Sequence, residues 1–347
     1  MMSDAQFDSC SVSTAALREA IEACCAASLP GAGSVLGIAR RTSAYRSSFP
    51  LEELEVEFAG GRQLSLVFKN LGWEGLADDA RRTKPRWLYE PRREIEIYRQ
   101  VLSSRKLGTA TCYGTVCVPA ADRYWLFLER VPGVELYQVG AFEVWRHAAR
   151  ALAEMHTVLA GGEVLASTST LVHHDETFFR SWLERARRFL TERRQRIGAQ
   201  SIDRLVSVFD RAIRRVAALP SGLIHGEFYA SNVLVGRAEA GDPSRPRVCP
   251  IDWEMAGIGP GLVDLAALTS GKWTATQRRA LAAAYLEALP PGSAFRAQPE
   301  EFFARLDDCR LCLCVQWLGW SPDWTPPAEH AHDWLSEALR LAEAMGR

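Results

Sequence analysis

Apolar and polar positions alternate along two neighbouring stretches in the first part of the chain. Leu54, Val56 and Phe58 alternate with Glu53, Glu55 and Glu57, and Leu64, Leu66 and Phe68 alternate with Ser65, Val67 and Lys69. A period of two predicts strands with one buried face, and Gly60-Gly61 between them reads as a hairpin turn. Residues 13–27 and 92–102 show helical spacing instead, while 111–118 and 125–129 read as two further strands. From residue 142 the pattern is mostly helical, with helices predicted over 142–159, 176–196 and 201–219. Short strand patterns at 223–224, 232–235 and 247–252 interrupt it, and 236–246 reads as a Gly-, Pro- and charge-rich surface loop. After residue 261 the chain reads as helical, apart from a Pro- and Trp-rich stretch at 317–327. These elements predict an α+β protein with a small β-rich lobe, residues 1–130, and a large helical lobe, residues 131–347.

Composition narrows the function classes. A chain of 347 residues can bury a large core and suits two domains. The 41 Lys and Arg nearly balance 42 Asp and Glu, which argues against a broad nucleic-acid surface. No run of about 18 apolar residues occurs, and residues 1–10 lack the pattern of a secretory signal, so a cytoplasmic protein with no membrane partner is expected. The nine Cys are odd in number and several sit in helical patterns, which fits reduced core thiols. Cys309, Cys312 and Cys314 lie in an apolar helical run without a matching ligand pair, so packing is the expectation there.

Candidate chemistry begins at Lys69. On its strand Val67 and Lys69 share one face, opposite Leu64, Leu66 and Phe68. That arrangement suits a purine covered by Val67 and phosphates bound by Lys69. On the helix over 92–102, Glu94 shares the face of Ile97, Tyr98 and Val101, whereas Glu96 falls among Arg92, Arg93, Arg99 and Gln100. An acid on an apolar face needs a cation partner, and Lys69 is the natural one.

The strongest signal is the stretch Leu223-Ile224-His225-Gly226-Glu227-Phe228-Tyr229-Ala230-Ser231-Asn232-Val233-Leu234-Val235, followed by Pro250-Ile251-Asp252-Trp253-Glu254. An acid, an amide after four intervening residues and a second acid twenty residues later have the spacing of a phosphoryl-transfer site. Glu227 stands at the end of a strand, where a general base is held rigidly. Asn232 and Asp252 offer hard oxygens suited to Mg²⁺. His225 reads as a brace for the loop, and Gly226 as a position needing unusual backbone angles.

These motifs resemble the aminoglycoside phosphotransferase and choline kinase superfamily, small-molecule relatives of protein kinases. Its members carry His-Gly-Asp, four residues, Asn, and then Ile-Asp-Trp/Phe-Glu. The resemblance spans roughly residues 35–270 and implies a two-lobed protein-kinase-like fold, with nucleotide between the lobes. It implies Glu227 in the base position, Asn232 and Asp252 as Mg²⁺ ligands, and Lys69 held on the phosphates by Glu94. It also suggests a structural role for Asp264 in Val263-Asp264-Leu265-Ala266, and a purine-reading hinge in residues 126–133, with Glu129 and Val131 at the nucleotide.

Two departures stand out. The phosphate-covering loop over residues 40–50 has no glycine run, so Ser47, Ser48 and Arg46 are its candidate phosphate contacts, against the plainer reading of a polar turn. Glu227 replaces Asp, and one methylene moves the carboxylate by up to about 1.5 Å, where a shift of about 1 Å can cost ~10²-fold in rate. For the acceptor, Trp317, Trp320, Asp323 and Trp324 suit a cationic amine or a sugar, with core packing as the alternative. The basic run from Arg185 to Arg196 reads as a solvated helix face. The expected activity is transfer of the γ-phosphate of ATP or GTP to a hydroxyl of a small polar molecule, such as an aminoglycoside-like antibiotic, an amino alcohol or a sugar. The alternative is a nucleotide-binding pseudokinase acting as a scaffold.

Overall fold

The alternating stretches form the middle of an antiparallel sheet. The computed structural model describes residues 12–346, except 32, 44, 46–47, 162–167, 238–244 and 322–331. The chain divides into two units, one ending at Pro132 and the other starting at Gly133. In the first, β1 (Val35–Thr42), β2 (Leu51–Phe58), β3 (Gln63–Asn70), β4 (Cys112–Val118) and β5 (Arg123–Glu129) pair in the order β1-β2-β3-β5-β4. Leu54, Val56 and Phe58 on β2 and Leu66 and Phe68 on β3 are buried on one face, with Trp125 and Phe127 on β5. Leu17 and Ile21 of the helix Thr14–Ser28 join this cluster. The helix sits close because β4 has a glycine there: a Cβ on Gly114 would lie 2.1 Å from Cys24 Cβ.

The second helical segment departs from simple helical spacing. It is α-helical over Arg92–Glu96 and then π-helical over Ile97–Leu102. The wider turn buries two adjacent apolar pairs, Ile97–Tyr98 and Val101–Leu102. Arg93, expected on the solvated face, is buried and its guanidinium donates to the Leu88 carbonyl at 3.0 Å.

The second unit is mostly helical, with six short strands among the described residues: β6 (Gly133–Glu135), β7 (Val172–His173), β8 (Gly222–Ile224), β9 (Val233–Gly236), β10 (Arg247–Pro250) and β11 (Gly257–Gly259). They form two small sheets, ordered β10-β9-β6 and β7-β11-β8. The helix Pro299–Trp320 runs through the core against the helices Glu176–Glu192, Ala199–Ala217, Leu262–Leu268 and Trp334–Met345. That position explains Cys309, Cys312 and Cys314, whose thiols are buried there and pushed up in pKa by burial. The helix predicted over 176–196 stops at Glu192. A short turn, Arg194–Ile197, follows, and Gly198 at φ +87° ends it. Among the described residues no helix is long and apolar enough to cross a membrane.

Phe68 is 2 % exposed, stacks on Phe127 at 5.2 Å and meets Trp125 edge-on at 5.7 Å. Phe68→Ala is expected to cost about 3–5 kcal/mol, read by urea unfolding. A loss under about 1 kcal/mol would mean that this cluster does not hold the sheet.

Candidate active site

Strand pairing fixes which side chains share a face. β3 lies between β2 and β5, and Lys69 is opposite Leu51 on one side and Leu126 on the other. Its Nζ is 2.6 Å from Glu94 Oε2, and the two side chains are 4 % and 1 % exposed. The sequence spacing on the strand and on the helix therefore converges on one buried ion pair. Such a pair gains little over apolar packing, but removal of one partner leaves a bare buried charge, at about 3–5 kcal/mol.

The same face carries a polar cluster that the strand pattern did not announce. Register sets Arg41, Glu53, Val67 and Leu128 in one row across β1, β2, β3 and β5. Glu53, expected to face solvent with Glu55 and Glu57, is only 8 % exposed. Its carboxylate accepts hydrogen bonds from Arg41, from Ser43 Oγ at 3.1 Å and from Arg130 Nε at 2.6 Å. Burial pushes the Glu53 carboxyl up in pKa, but the Arg41 and Ser43 hydrogen bonds and the Arg130 charge outweigh it and hold it below the usual range. The signal was present in Arg41 and Arg130, but no periodicity links residues on two strands with one beyond β1 and one beyond β5.

The neighbouring candidates divide. The Glu129 carboxylate accepts from the Thr111 N–H at 3.0 Å, and the Glu129 N–H donates to the Thr111 carbonyl at 2.8 Å. The Arg130 N–H donates to Ser65 at 3.2 Å, and Val131 follows as a buried residue. In the loop after β1, the Ser48 hydroxyl accepts from Lys84 Nζ at 3.1 Å, and the same ammonium sits 5.7 Å from the Phe49 ring centre. Lys84 was not singled out by sequence. Arg46 and Ser47 lie outside the described residues.

In the second unit, β8 delivers the chain into the His225–Asn232 loop, and one carboxylate fixes its backbone. Asp264, fully buried at the start of Leu262–Leu268, accepts from the His225 N–H at 2.7 Å and the Gly226 N–H at 2.8 Å. His156 Nε2 lies 3.0 Å from Asp264 Oδ2, and His156 Nδ1 lies 2.9 Å from the Tyr285 hydroxyl. Burial works to raise the Asp264 pKa, but His156, His225 and the loop N–H together hold it below the usual carboxylate range. Gly226 takes φ +85°, and a Cβ there would come 2.2 Å from the Met255 carbonyl oxygen. His225 is buried, with Nε2 2.8 Å from the Ile251 carbonyl and Nδ1 3.3 Å from the Glu227 N–H. A carbonyl only accepts and an N–H only donates, so the ring is the Nε2–H tautomer and braces the loop.

The remaining residues are placed by the β9–β10 hairpin. Val233 pairs with Pro250, and the Ile251 N–H donates to the Asn232 carbonyl at 2.9 Å. Asn232 and Asp252 thus stand at the same end of the hairpin. Asn232 Nδ2 donates to the Glu227 carbonyl at 3.0 Å, which turns its Oδ1 away from that bond. The Tyr229 N–H donates to the same Glu227 carbonyl at 2.7 Å, so the backbone carrying the Glu227 carboxylate is held twice. Asp252 adopts φ +63°, ψ +63°, a left-handed conformation costly for most side chains. Asn232 Oδ1 and the Asp252 carboxylate are hard oxygen donors. An amide with a single carboxylate fits Mg²⁺, which usually takes one or two carboxylates and completes its shell with phosphate and water.

The sequence profile described as the phosphotransferase enzyme family matches residues 80–297 of this chain. The chain belongs to that family. No curated protein matches it. Among solved structures, a spectinomycin phosphotransferase in complex with ADP and spectinomycin is similar with TM-score 0.58 and 13% identity, covering 96% of this chain and 99% of that chain. A microcompartment-associated aminopropanol kinase gives TM-score 0.56 and 17% identity over 93% and 94% of the two chains. A choline kinase from Cryptosporidium parvum Iowa II gives 0.54 and 12% over 89% and 88%. At these identities the likeness establishes the fold, an α+β kinase-like fold with a β-sheet N-terminal unit and a helical C-terminal unit.

Within this phosphotransferase fold the tryptophans divide by burial. Trp317 is 6 % exposed, meets Tyr229 at 5.5 Å and stacks on Trp334 at 5.0 Å, so it backs the candidate catalytic loop. Burial and the nearby Glu227 charge push the Tyr229 hydroxyl well up, so it stays protonated. Trp320 is half-buried against Trp182 at 4.9 Å. Asp323 and Trp324 lie outside the described residues.

Two outcomes test this frame. Asp264→Asn replaces an acceptor-only carboxylate that takes two backbone N–H bonds, and is expected to cost about 3–5 kcal/mol at pH 7. Because the folded pKa of Asp264 is depressed below 3.8, its stabilisation is complete above that value and lost as pH falls through the folded pKa. The Asn variant should therefore lack part of the acid limb seen for the wild type in urea titrations from pH 7 to pH 2. Parallel acid limbs would remove Asp264 from this role. Separately, Gly226→Ala is expected to destabilise by more than about 1 kcal/mol, because it meets both positive φ and a backbone oxygen. A neutral result in thermal unfolding would contradict that packing.

Proposed function

We propose that this chain transfers the γ-phosphate of ATP or GTP to a hydroxyl of a small polar acceptor. The observation that carries the reading is the buried Lys69–Glu94 pair at 2.6 Å, on the sheet face that also bears Val67. A buried ammonium locked to a carboxylate is a costly way to stabilise a sheet and an effective way to hold a cation on nucleotide phosphates. The family match and the names of the solved neighbours, which act on spectinomycin, aminopropanol and choline, support a small hydroxyl-bearing acceptor such as an aminoglycoside, an amino alcohol or a sugar.

In this reading Val67 covers the base and Val131 offers hinge backbone to it, since the Glu129 N–H is engaged by Thr111. Lys69 binds the phosphates, and Ser48 with Lys84 adds a hydroxyl and a second ammonium from the loop after β1. Asn232 and Asp252 would hold Mg²⁺, which neutralises charge on the phosphate oxygens when bound. Glu227 takes the acceptor hydroxyl proton as the acceptor oxygen bonds to the γ-phosphorus. The bond from that phosphorus to the bridging oxygen breaks, and nucleoside diphosphate leaves. The twofold hold on the Glu227 carbonyl supports this reading by fixing the backbone from which the carboxylate extends.

Glu227→Gln is expected to lower kcat by about 10²–10⁴ with nucleotide affinity unchanged. Asp252→Asn should weaken the Mg²⁺ dependence of nucleotide binding. Both are read with purified protein, a panel of aminoglycosides, amino alcohols and sugars, and calorimetry with ADP. Mg²⁺-dependent nucleotide binding with no turnover on any acceptor, by wild type or by Glu227→Asp, would overturn transfer.

A further inference from the structure

The basic run that reads as a solvated face in sequence acquires an opposite wall in three dimensions. The helices Glu176–Glu192 and Ala199–Ala217, joined through Arg194–Ile197, enclose a cleft of about 620 Å³. Arg187 and Arg194 line one side, and Arg211 and Arg214 line the other. Ile202 and Val206 supply apolar surface between them, over the buried Leu190. The volume lies in the range of small-molecule sites, roughly 300–1,000 Å³.

Charge in the cleft is not balanced locally. Arg180 Nη1 holds Asp210 at 2.7 Å, and Arg187 Nε meets Glu184 at 3.1 Å. Arg211 Nη1 donates to Ser207 Oγ at 2.9 Å. Arg194 and Arg214 have no ion pair among the described residues. Counting Arg180 and Glu184 with the lining, five guanidinium groups meet three carboxylates. Arg211 and Arg214 are three apart on one helix, so they share a face and repel each other. Guanidinium forks match phosphate and carboxylate oxygens in pairs, which a bound anion would exploit.

We propose that this cleft binds a small organic anion. Arg194 and Arg214 hold its phosphate or carboxylate head, and Ile202 and Val206 receive its apolar body. None of the residues assigned to phosphoryl transfer lines the cleft, so the site stands apart from that reading.

The test is calorimetry on the full chain with phenyl phosphate, benzoate and inorganic phosphate as probes. At least one aromatic anion is expected to bind saturably, about tenfold more tightly than inorganic phosphate. Preference between phenyl phosphate and benzoate identifies the head group. Arg194→Glu with Arg214→Glu should weaken that binding at least about tenfold while leaving ADP binding and thermal unfolding unchanged. Arg194→Gln with Arg214→Gln replaces the pair if charge reversal unfolds the chain, and should weaken binding in the same direction. Absence of saturable binding by both aromatic anions, binding no tighter than that of inorganic phosphate, or equal binding by the folded double variant would overturn the proposal.

Discussion

One carboxylate organises the candidate catalytic loop. Asp264 accepts two consecutive backbone N–H groups, from His225 and Gly226, and a third bond from His156. Consecutive N–H groups point the same way only where the backbone leaves regular geometry, and Gly226 at φ +85° supplies that departure. A side chain at that position would strike the Met255 carbonyl, so the loop and the segment after Asp252 are packed to backbone contact. The rest follows from this anchor. His225 ties the loop to Ile251, Asn232 ties it to Glu227, and the hairpin end brings Asp252 alongside.

The other unit is organised by buried charge on one sheet face. The opposite face is apolar and closes with the helix Thr14–Ser28. Here Lys69 meets Glu94, and two residues away in the adjacent row Glu53 meets Arg41 and Arg130. Each acid is matched by a cation, which satisfies the cost of burial. The face is therefore polar where it flanks Val67.

Much of this was legible in sequence where the signal is periodic or local. The β2–β3 alternation placed Val67 and Lys69 opposite Leu66 and Phe68, and the burial of those two residues bears out the face. Glu94 on an apolar helix face demanded a cation and found Lys69. Signals that depend on remote pairing were not legible. Glu53 repeats like Glu55 and Glu57, yet only Glu53 is enclosed, because Arg41 and Arg130 reach it from β1 and from beyond β5. His156 and Tyr285 lie 129 residues apart and meet only through helix packing. Sequence made Trp317 a candidate for the acceptor pocket, and tertiary structure sets it against Tyr229 and Trp334.

By itself the sequence determined the family motifs, the α+β division and the buried side of β2 and β3, since these depend on spacing along one element. Tertiary structure decided which charges are paired, where the helix after Arg92 widens to bury two adjacent apolar pairs, and which arginines face one another across the Glu176–Ala217 hairpin. The reason is physical. Periodicity encodes direction relative to a single helix or strand axis, whereas electrostatic partnership depends on distances between elements, and those are set by how whole faces pack.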